Sequence, residues 1–161
     1  MFMRLPNAEF RAGQGSTNRR RLGALVKKRP PGLLAYEHDV PVGWIAIAPR
    51  EEFVRLENSR VLAPVPGERV WSAPCFFVRA GHRGKGLSGA LLKAAVAYAR
   101  AQGAAHVEGY PHADTAAKQP AAFVWSGFES VYQAQGFTEI ARRSKGRPIM
   151  RRSLKKGAKH G

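Results

Sequence analysis

The chain has 161 residues, with 27 Lys and Arg against 11 Asp and Glu, which gives a formal net charge of +16. This length fits one domain with a hydrophobic core, and an apolar content of 44% excludes wholesale disorder. A single cysteine excludes an internal disulfide framework. The sequence contains no apolar run long enough to span a bilayer and no signal-peptide pattern, which predicts a cytoplasmic protein.

The first part of the chain is predicted to hold a helix and a β-hairpin. Residues 1–17 are predicted to form a basic, flexible segment. Asn18 is the predicted N-cap of a short helix, which Pro30 ends because proline cannot continue a helix. Two strands follow, over residues 33–37 and 42–48.

The strongest strand prediction covers residues 70–78, which are apolar nearly throughout. Pro74 within it predicts a bulge or an edge position, because proline has no backbone N–H to donate to a neighbouring strand. A glycine-rich turn then leads into a helix over residues 87–102, whose apolar residues recur at helical spacing and which Gly103 ends. A further strand is predicted over residues 105–110.

The last part of the chain is predicted to form a short helix over residues 128–135 and two strands, over 137–141 and 148–154. The basic turn 142–147 joins these strands. This order of elements predicts a mixed α/β (α+β) fold rather than a regular alternation of strand and helix.

The glycine-rich turn before the long helix has the composition of a phosphate-binding loop. Its glycines allow sharp turns that point several N–H groups to one place, and the N-terminus of the following helix adds unpaired donors. Arg83 and Lys85 add positive charge, although an ordinary connecting turn is the alternative. A P-loop is excluded, because Gly86 follows Lys85 where a P-loop needs Ser or Thr.

A dinucleotide-binding fingerprint also matches this turn. Gly84, Gly86 and Gly89 satisfy G-x-G-x-x-G, and Glu108 stands near the end of the next strand, where an acid that binds ribose belongs. Only one strand–helix–strand unit is evident, however, so the two halves of a dinucleotide-binding fold cannot be assembled. A dinucleotide-binding module is therefore the third hypothesis.

Two motifs resemble the signatures of the GNAT acetyltransferase superfamily. Residues 83–88, Arg-Gly-Lys-Gly-Leu-Ser, resemble R/Q-x-x-G-x-G/A, with Ser88 where Gly or Ala is usual. Residues 132–137, Tyr-Gln-Ala-Gln-Gly-Phe, resemble the second signature, Tyr-x-x-x-Gly-Phe. The resemblance covers about residues 18–154, which we predict as a single GNAT-like domain followed by a basic tail over residues 155–161.

The resemblance implies a mostly antiparallel, twisted sheet flanked by helices, in which the family's N-terminal strand and helix have no counterpart here. It implies an N-acetyltransferase that moves the acetyl group of acetyl-CoA directly to an amine of a small molecule or peptide, without a metal, as a monomer or homodimer. The residues that it implies for binding acetyl-CoA lie at the strand end and in the turn: Phe76, Phe77, Val78, Arg83, Gly84, Lys85, Gly86, Leu87 and Ser88.

Two further residues are implied as catalytic. Tyr132 would be the acid that protonates the leaving thiolate, and the alternative is that it only packs its helix against the sheet. Glu108 would be the base, acting directly or through water, although a structural carboxylate is an equal alternative, and Glu51 and Glu52 are weaker candidates. Cys75 lies in an apolar strand and is interpreted as a small buried hydrophobic residue rather than a nucleophile.

The positive charge is concentrated at the two ends of the chain. Residues 1–31 carry eight basic groups and one acid, and residues 142–161 carry nine basic groups and no acid. Such ends suit a nonspecific attraction to phosphates, so a basic protein associated with nucleic acid or the ribosome, without catalysis, is the alternative function. The turn 142–147 would disfavour polycationic acceptors if it flanks the acceptor entrance.

Overall fold

The computed structural model describes residues 1–114 and 125–155. The helices are α1 (Asn7–Lys28), α2 (Val54–Glu57), α3 (Leu87–Ala101) and α4 (Glu129–Ala134). The strands are β1 (Gly32–Glu37), β2 (Val40–Ala46), β3 (Ala48–Pro49), β4 (Trp71–Ala73), β5 (Phe76–Val78), β6 (His106–Gly109), β7 (Thr138–Arg142) and β8 (Pro148–Ser153). None of the helices in the described ranges is long and apolar enough to cross a membrane.

The strands form two sheets, one in the order β1-β2-β5 and one in the order β3-β4-β6-β8-β7. All of their pairings are antiparallel except that of β4 with β6. The predicted mixed, mostly antiparallel α/β fold is therefore confirmed. The strands described here do not build the parallel sheet that a dinucleotide-binding domain requires.

The strand predicted over residues 70–78 is divided in two at Pro74. Residues up to Ala73 form β4, which pairs with β6, whereas residues from Phe76 form β5, which pairs with β2 on its other side. Because β5 and β6 are not neighbours in either sheet, the chain opens a gap between them beyond Ala73 and Gly109, which we call the β5–β6 gap.

Two hydrophobic clusters cover opposite faces of the sheets. The first packs α3 and α4 against strand residues that include Val107 and Ile45. The second contains Tyr110 and Ala46, which point the other way because side chains alternate along a strand. The same alternation places Gly109 and Glu108 of β6 on opposite faces, which decides what each can contact.

The first helix begins earlier than the sequence predicted. It starts at Asn7 rather than Asn18, and a kink at Gln14, whose φ is 45°, divides it. Asn18 does not cap the helix, because its buried side-chain amide donates a hydrogen bond to the carbonyl oxygen of Phe10 at 2.8 Å. The proposed division of the chain at residue 17 stays a prediction, although Met3 already lies in the second hydrophobic cluster. Residues 156–161 of the predicted basic tail lie outside the described residues.

Candidate active site

The glycine-rich turn forms a cradle of backbone N–H groups before α3. Gly84 and Gly86 have φ angles of 74° and 76°, which L side chains rarely adopt, and Gly86 is the N-cap of α3 without any side-chain cap. The first hydrogen bond inside the helix runs from the N–H of Ala90 to the oxygen of Gly86, so the N–H groups of the first turn have no partner within the helix. This geometry suits an anion at the positive end of the helix dipole.

The surroundings of the cradle are open and positively charged. A Cβ atom built on Gly84 or Gly86 meets nothing within 4 Å, so there is space beside the backbone for a ligand. Lys85 and Arg83 are exposed, and Nε of Arg83 donates to the carbonyl oxygen of Val78 at 3.0 Å, which ties the turn to the end of β5. Leu87, by contrast, packs inward against the first hydrophobic cluster, while Ser88 is partly buried.

The hydrogen-bonding groups of β5 divide between β2 and the β5–β6 gap. Trp44 lies opposite Phe77, and the flanking bonds from Ala46 N–H to Cys75 and from Arg79 N–H to Val42 show that Phe77 directs its own N–H and carbonyl toward β2. Phe76 and Val78 therefore direct theirs toward the gap. The side chain of Phe77 is 59% exposed on the face away from α3.

Residues 125–128 bridge the two sides of the β5–β6 gap. The N–H of Phe76 donates to the carbonyl oxygen of Trp125 at 2.6 Å, and the N–H of His112 donates to that of Gly127 at 2.8 Å. The N–H of Phe76 is therefore already paired. The backbone groups of Val78, nearer to the glycine-rich turn, remain as the open edge of β5.

Tyr132 of α4 reaches the β5–β6 gap from the α3 side of the sheet. The residue is fully buried, and its hydroxyl lies 3.1 Å from the carbonyl oxygen of Ala73 and 3.3 Å from that of Ser126, either of which can accept a hydrogen bond from it. Burial raises the pKa of Tyr132, so the hydroxyl keeps its proton and acts as a donor. The ring passes directly over Gly109 of β6.

Glu108 lies in a buried ionic network on the opposite face of β6. It is 1% exposed, and one of its oxygens accepts hydrogen bonds from Nε and Nη2 of Arg151 at 3.0 and 2.6 Å. The other oxygen accepts from the hydroxyl of Tyr110 at 3.0 Å and lies 3.7 Å from Nη1 of Arg50. Both oxygens of the predicted base are thus already paired with donors.

Cys75 lies in the break between β4 and β5, where it packs against the second hydrophobic cluster. Burial raises the pKa of its thiol to about 11. At pH 8 about one thiol in a thousand is then ionised, which leaves very little of the nucleophilic thiolate form.

We therefore expect native Cys75 to react with iodoacetamide at pH 8 more than about 100-fold more slowly than the same residue in urea-unfolded protein. Mass spectrometry of timed samples measures both rates. Rapid labelling of the folded protein would show that the thiol is accessible and ionised, and would revive a nucleophilic role for it.

Two residues near the site were not identified from the sequence. Arg147, just before β8, donates through Nη1 to Nε2 of His112 at 2.7 Å and to Oγ of Ser126 at 3.0 Å. Gly109 allows the close approach of Tyr132. The roles of Arg147 and Gly109 depend on contacts between distant parts of the chain. The one signal in the sequence was the basic composition of the turn 142–147, which contains Arg147. Within the described residues no group of three or more His, Cys, Asp or Glu side chains could hold a metal ion.

Comparison with known proteins identifies the arrangement. The chain matches the model of the Acetyltransferase (GNAT) family over residues 1–128, which includes the N-terminal segment. Among the curated proteins none matches the chain.

Several solved structures share the fold. An N-acetyltransferase from Staphylococcus aureus Mu50 superposes with a TM-score of 0.57 at 13% identity, covering 87% of this chain and 77% of that one. The protein yncA from Salmonella typhimurium, solved with its cofactor acetyl-CoA, has a TM-score of 0.56 at 18% identity, covering 88% and 76%. A ribosomal-protein-alanine N-acetyltransferase from Brucella melitensis has a TM-score of 0.53 at 17% identity, covering 86% and 78%. Against some other matching structures the chain spans only about two thirds of the neighbour's length.

Proposed function

The chain belongs to the GNAT acetyltransferase family, and we propose that it transfers the acetyl group of acetyl-CoA to an amine of a small molecule or a peptide. One observation carries this proposal: the uncapped N-terminus of α3, with its two positive-φ glycines, lies at the end of β5 beside the β5–β6 gap. The open edge of β5 thus leads to an anion-binding cradle. A long ligand with a pyrophosphate at one end requires this arrangement.

The residues of the cradle fit the pyrophosphate of CoA. The backbone N–H groups of residues 83–88 would hold it, with positive charge from Arg83 and Lys85, and the open edge at Val78 would pair with the pantetheine arm. When bound, acetyl-CoA supplies an activated acyl group: the amine nitrogen bonds to the thioester carbon, the carbon–sulfur bond breaks, the nitrogen loses a proton and the sulfur gains one.

Tyr132 is the proposed donor of the proton that the sulfur gains. Its hydroxyl lies at the β5–β6 gap, and burial raises its pKa, which keeps it protonated and able to donate a hydrogen bond to the sulfur as negative charge develops there. The carbonyl oxygens of Ala73 and Ser126 accept hydrogen bonds from the hydroxyl, but they are too weakly basic to remove its proton. They therefore hold the protonated hydroxyl at the gap.

The contacts of Glu108 support a structural role over the predicted role as base. Its carboxylate accepts two hydrogen bonds from Arg151 and one from Tyr110, beside Arg50, so neither oxygen is free to face an amine, and its charge serves as the counter-charge of Arg151. The amine would then lose its proton to water or another group.

We expect Glu108→Gln to lower the free energy of unfolding by about 3 kcal/mol, because it removes the negative charge that the two arginines share. The folded fraction should keep its kcat and pH profile. Urea unfolding and initial rates measure the two effects. Glu68→Gln is the matched control, since Glu68 contacts His106 and Lys155 at the exposed surface and its replacement should leave the stability nearly unchanged. A large fall in kcat with unchanged stability would instead identify Glu108 as the base.

The proposed function is tested by thermal unfolding with acetyl-CoA. At a concentration 100 times its Kd, acetyl-CoA should stabilise the protein by about 2.7 kcal/mol and raise Tm by about 5–10 °C. Gly86→Val should abolish this shift, because valine at a φ of 76° distorts the cradle and its side chain enters the open space.

Gly81→Ala is the matched control for that experiment, since Gly81 lies in the same turn without a positive φ and a Cβ there also meets nothing within 4 Å. This variant should keep the full shift. If the wild-type protein shows no shift with acetyl-CoA, the proposed function is wrong.

A further inference from the structure

Arg147 places a guanidinium group next to the proposed acid. Its Nη1 donates to Oγ of Ser126 at 3.0 Å, and the carbonyl oxygen of the same Ser126 is one of the two acceptors near the hydroxyl of Tyr132. Ser126 is fully buried and belongs to the segment that bridges the β5–β6 gap. The guanidinium therefore lies at the acyl-transfer end of the site, where Ser126 separates it from Tyr132. The phosphate cradle lies at the other end of β5.

The charge of Arg147 has no counter-charge within the chain's described residues. All eleven Asp and Glu residues fall within residues 1–114 and 125–155, and none forms an ion pair with Arg147. Arginine only donates hydrogen bonds, so Nε2 of His112 is the acceptor in its 2.7 Å contact with Nη1 and brings no negative charge. Burial lowers the pKa of Arg147, which is the effect of desolvating a cation without a compensating anion.

Part of this guanidinium group is available to a ligand. The contacts with His112 and Ser126 both use Nη1, and in the described part of the chain neither Nε nor Nη2 makes a hydrogen bond. In the described part of the chain neither atom is enclosed without a hydrogen-bond partner, so both can donate to a bound group. Nε and Nη2 lie on one side of a guanidinium and point in parallel, so together they can donate to both oxygens of a carboxylate.

The turn that carries Arg147 adds to the positive field. Arg143 of the same turn donates to the carbonyl oxygens of Val61, Ala63 and Pro64, the second at 2.6 Å, which anchors the turn without neutralising its charge. Arg142, in contrast, is paired with Glu129 and Glu139. A turn that is anchored and still positively charged attracts an anionic acceptor and repels a polycationic one.

We propose that Arg147 binds a carboxylate of the acceptor, so that the preferred acceptors are amino acids whose carboxylate lies within a few bonds of the amine that is acetylated. This inference rests on the proposed function and names its substrate class. Arg147 is then a residue that determines specificity, while His112 and Ser126 orient its guanidinium group.

The test compares amino acids with the amines that differ from them only by loss of the carboxylate. The pairs are phenylalanine and phenethylamine, tryptophan and tryptamine, and glutamate and 4-aminobutyrate, whose remaining carboxylate lies further from the amine. The release of CoA measures kcat/KM for each compound. In the wild-type protein we expect the amino acid to be preferred by about 10–100-fold in at least one pair. Arg147→Gln should abolish that preference, and Arg147→Lys should retain part of it, because lysine keeps the charge but loses the two-pronged geometry.

Lys145→Gln is the matched control, since it removes an exposed positive charge from the same turn and leaves the anchoring contacts of Arg143 in place; it should change the preference by less than about two-fold, because an exposed charge that does not touch the acceptor is screened. Each Arg147 variant is first shown to keep the rise in Tm with acetyl-CoA, which separates a changed acceptor site from a misfolded protein. Absence of this rise in the wild-type protein would overturn the proposed function. A normal rise together with equal use of both members of every pair, or with no acetylation of any of them, would overturn the role of Arg147 alone.

Discussion

Replacing Gly109 with alanine is expected to lower the free energy of unfolding by about 3 kcal/mol or more, and Tm by about 6–12 °C. A Cβ atom built on Gly109 would lie 1.8 Å from a ring carbon of Tyr132, far inside van der Waals contact. Neither partner can easily move away. The backbone of β6 is held by its pairing with β4 and β8, and the ring of Tyr132 is held between Phe76 and Phe137.

Urea and thermal unfolding measure this effect. Gly23→Ala is the control, because Gly23 lies in α1 where a Cβ meets nothing within 4 Å, and alanine there should stabilise the helix by about 0.5–1 kcal/mol. Tyr132→Leu combined with Gly109→Ala should cost less than the two single changes together, since the smaller side chain removes the clash. Wild-type stability of Gly109→Ala would show that the ring does not lie over β6.

Replacing Tyr132 with phenylalanine is expected to lower kcat by about 100-fold or more, because the proposed proton donor is lost while the ring packing remains. The affinity for acetyl-CoA should stay within a few-fold of wild type, since the phosphate cradle lies elsewhere. Stability should fall by about 1–3 kcal/mol, because the buried carbonyl oxygens of Ala73 and Ser126 lose their donor.

Single-turnover rates and the rise in Tm with acetyl-CoA measure the two effects separately. Tyr98→Phe is the matched control, because Tyr98 packs its ring against Trp71 from α3 and takes no part in the proposed chemistry. The raised pKa of Tyr132 also means that wild-type kcat should not fall through loss of this proton as the pH rises toward 10. A variant that keeps the wild-type kcat would show that Tyr132 serves only to pack α4 against the sheet.

The elements that local patterns control were predicted close to their true bounds. The long helix was expected over residues 87–102 and extends over Leu87–Ala101, because its apolar spacing and the following glycine act within a few residues. The break at Pro74 follows from a single missing N–H group, which is also a local property. The glycine-rich turn belongs to this class too, since positive φ angles depend on the residue itself. The start of α1 was wrong because contacts of Asn18 with Phe10 override its capping preference.

Short patterns in the sequence therefore predict the order and type of the elements, the glycine-rich turn and the two motifs that resemble the GNAT signatures. The packing of distant parts of the chain brings particular residues together: it pairs Glu108 with Arg151, brings Arg147 to His112 and Ser126, and places the ring of Tyr132 over Gly109. All of these partners are more than twenty residues apart, and they meet only through strand register and side-chain alternation. A shift of one residue in β6 would exchange Glu108 with Gly109, and no short pattern in the sequence specifies that register.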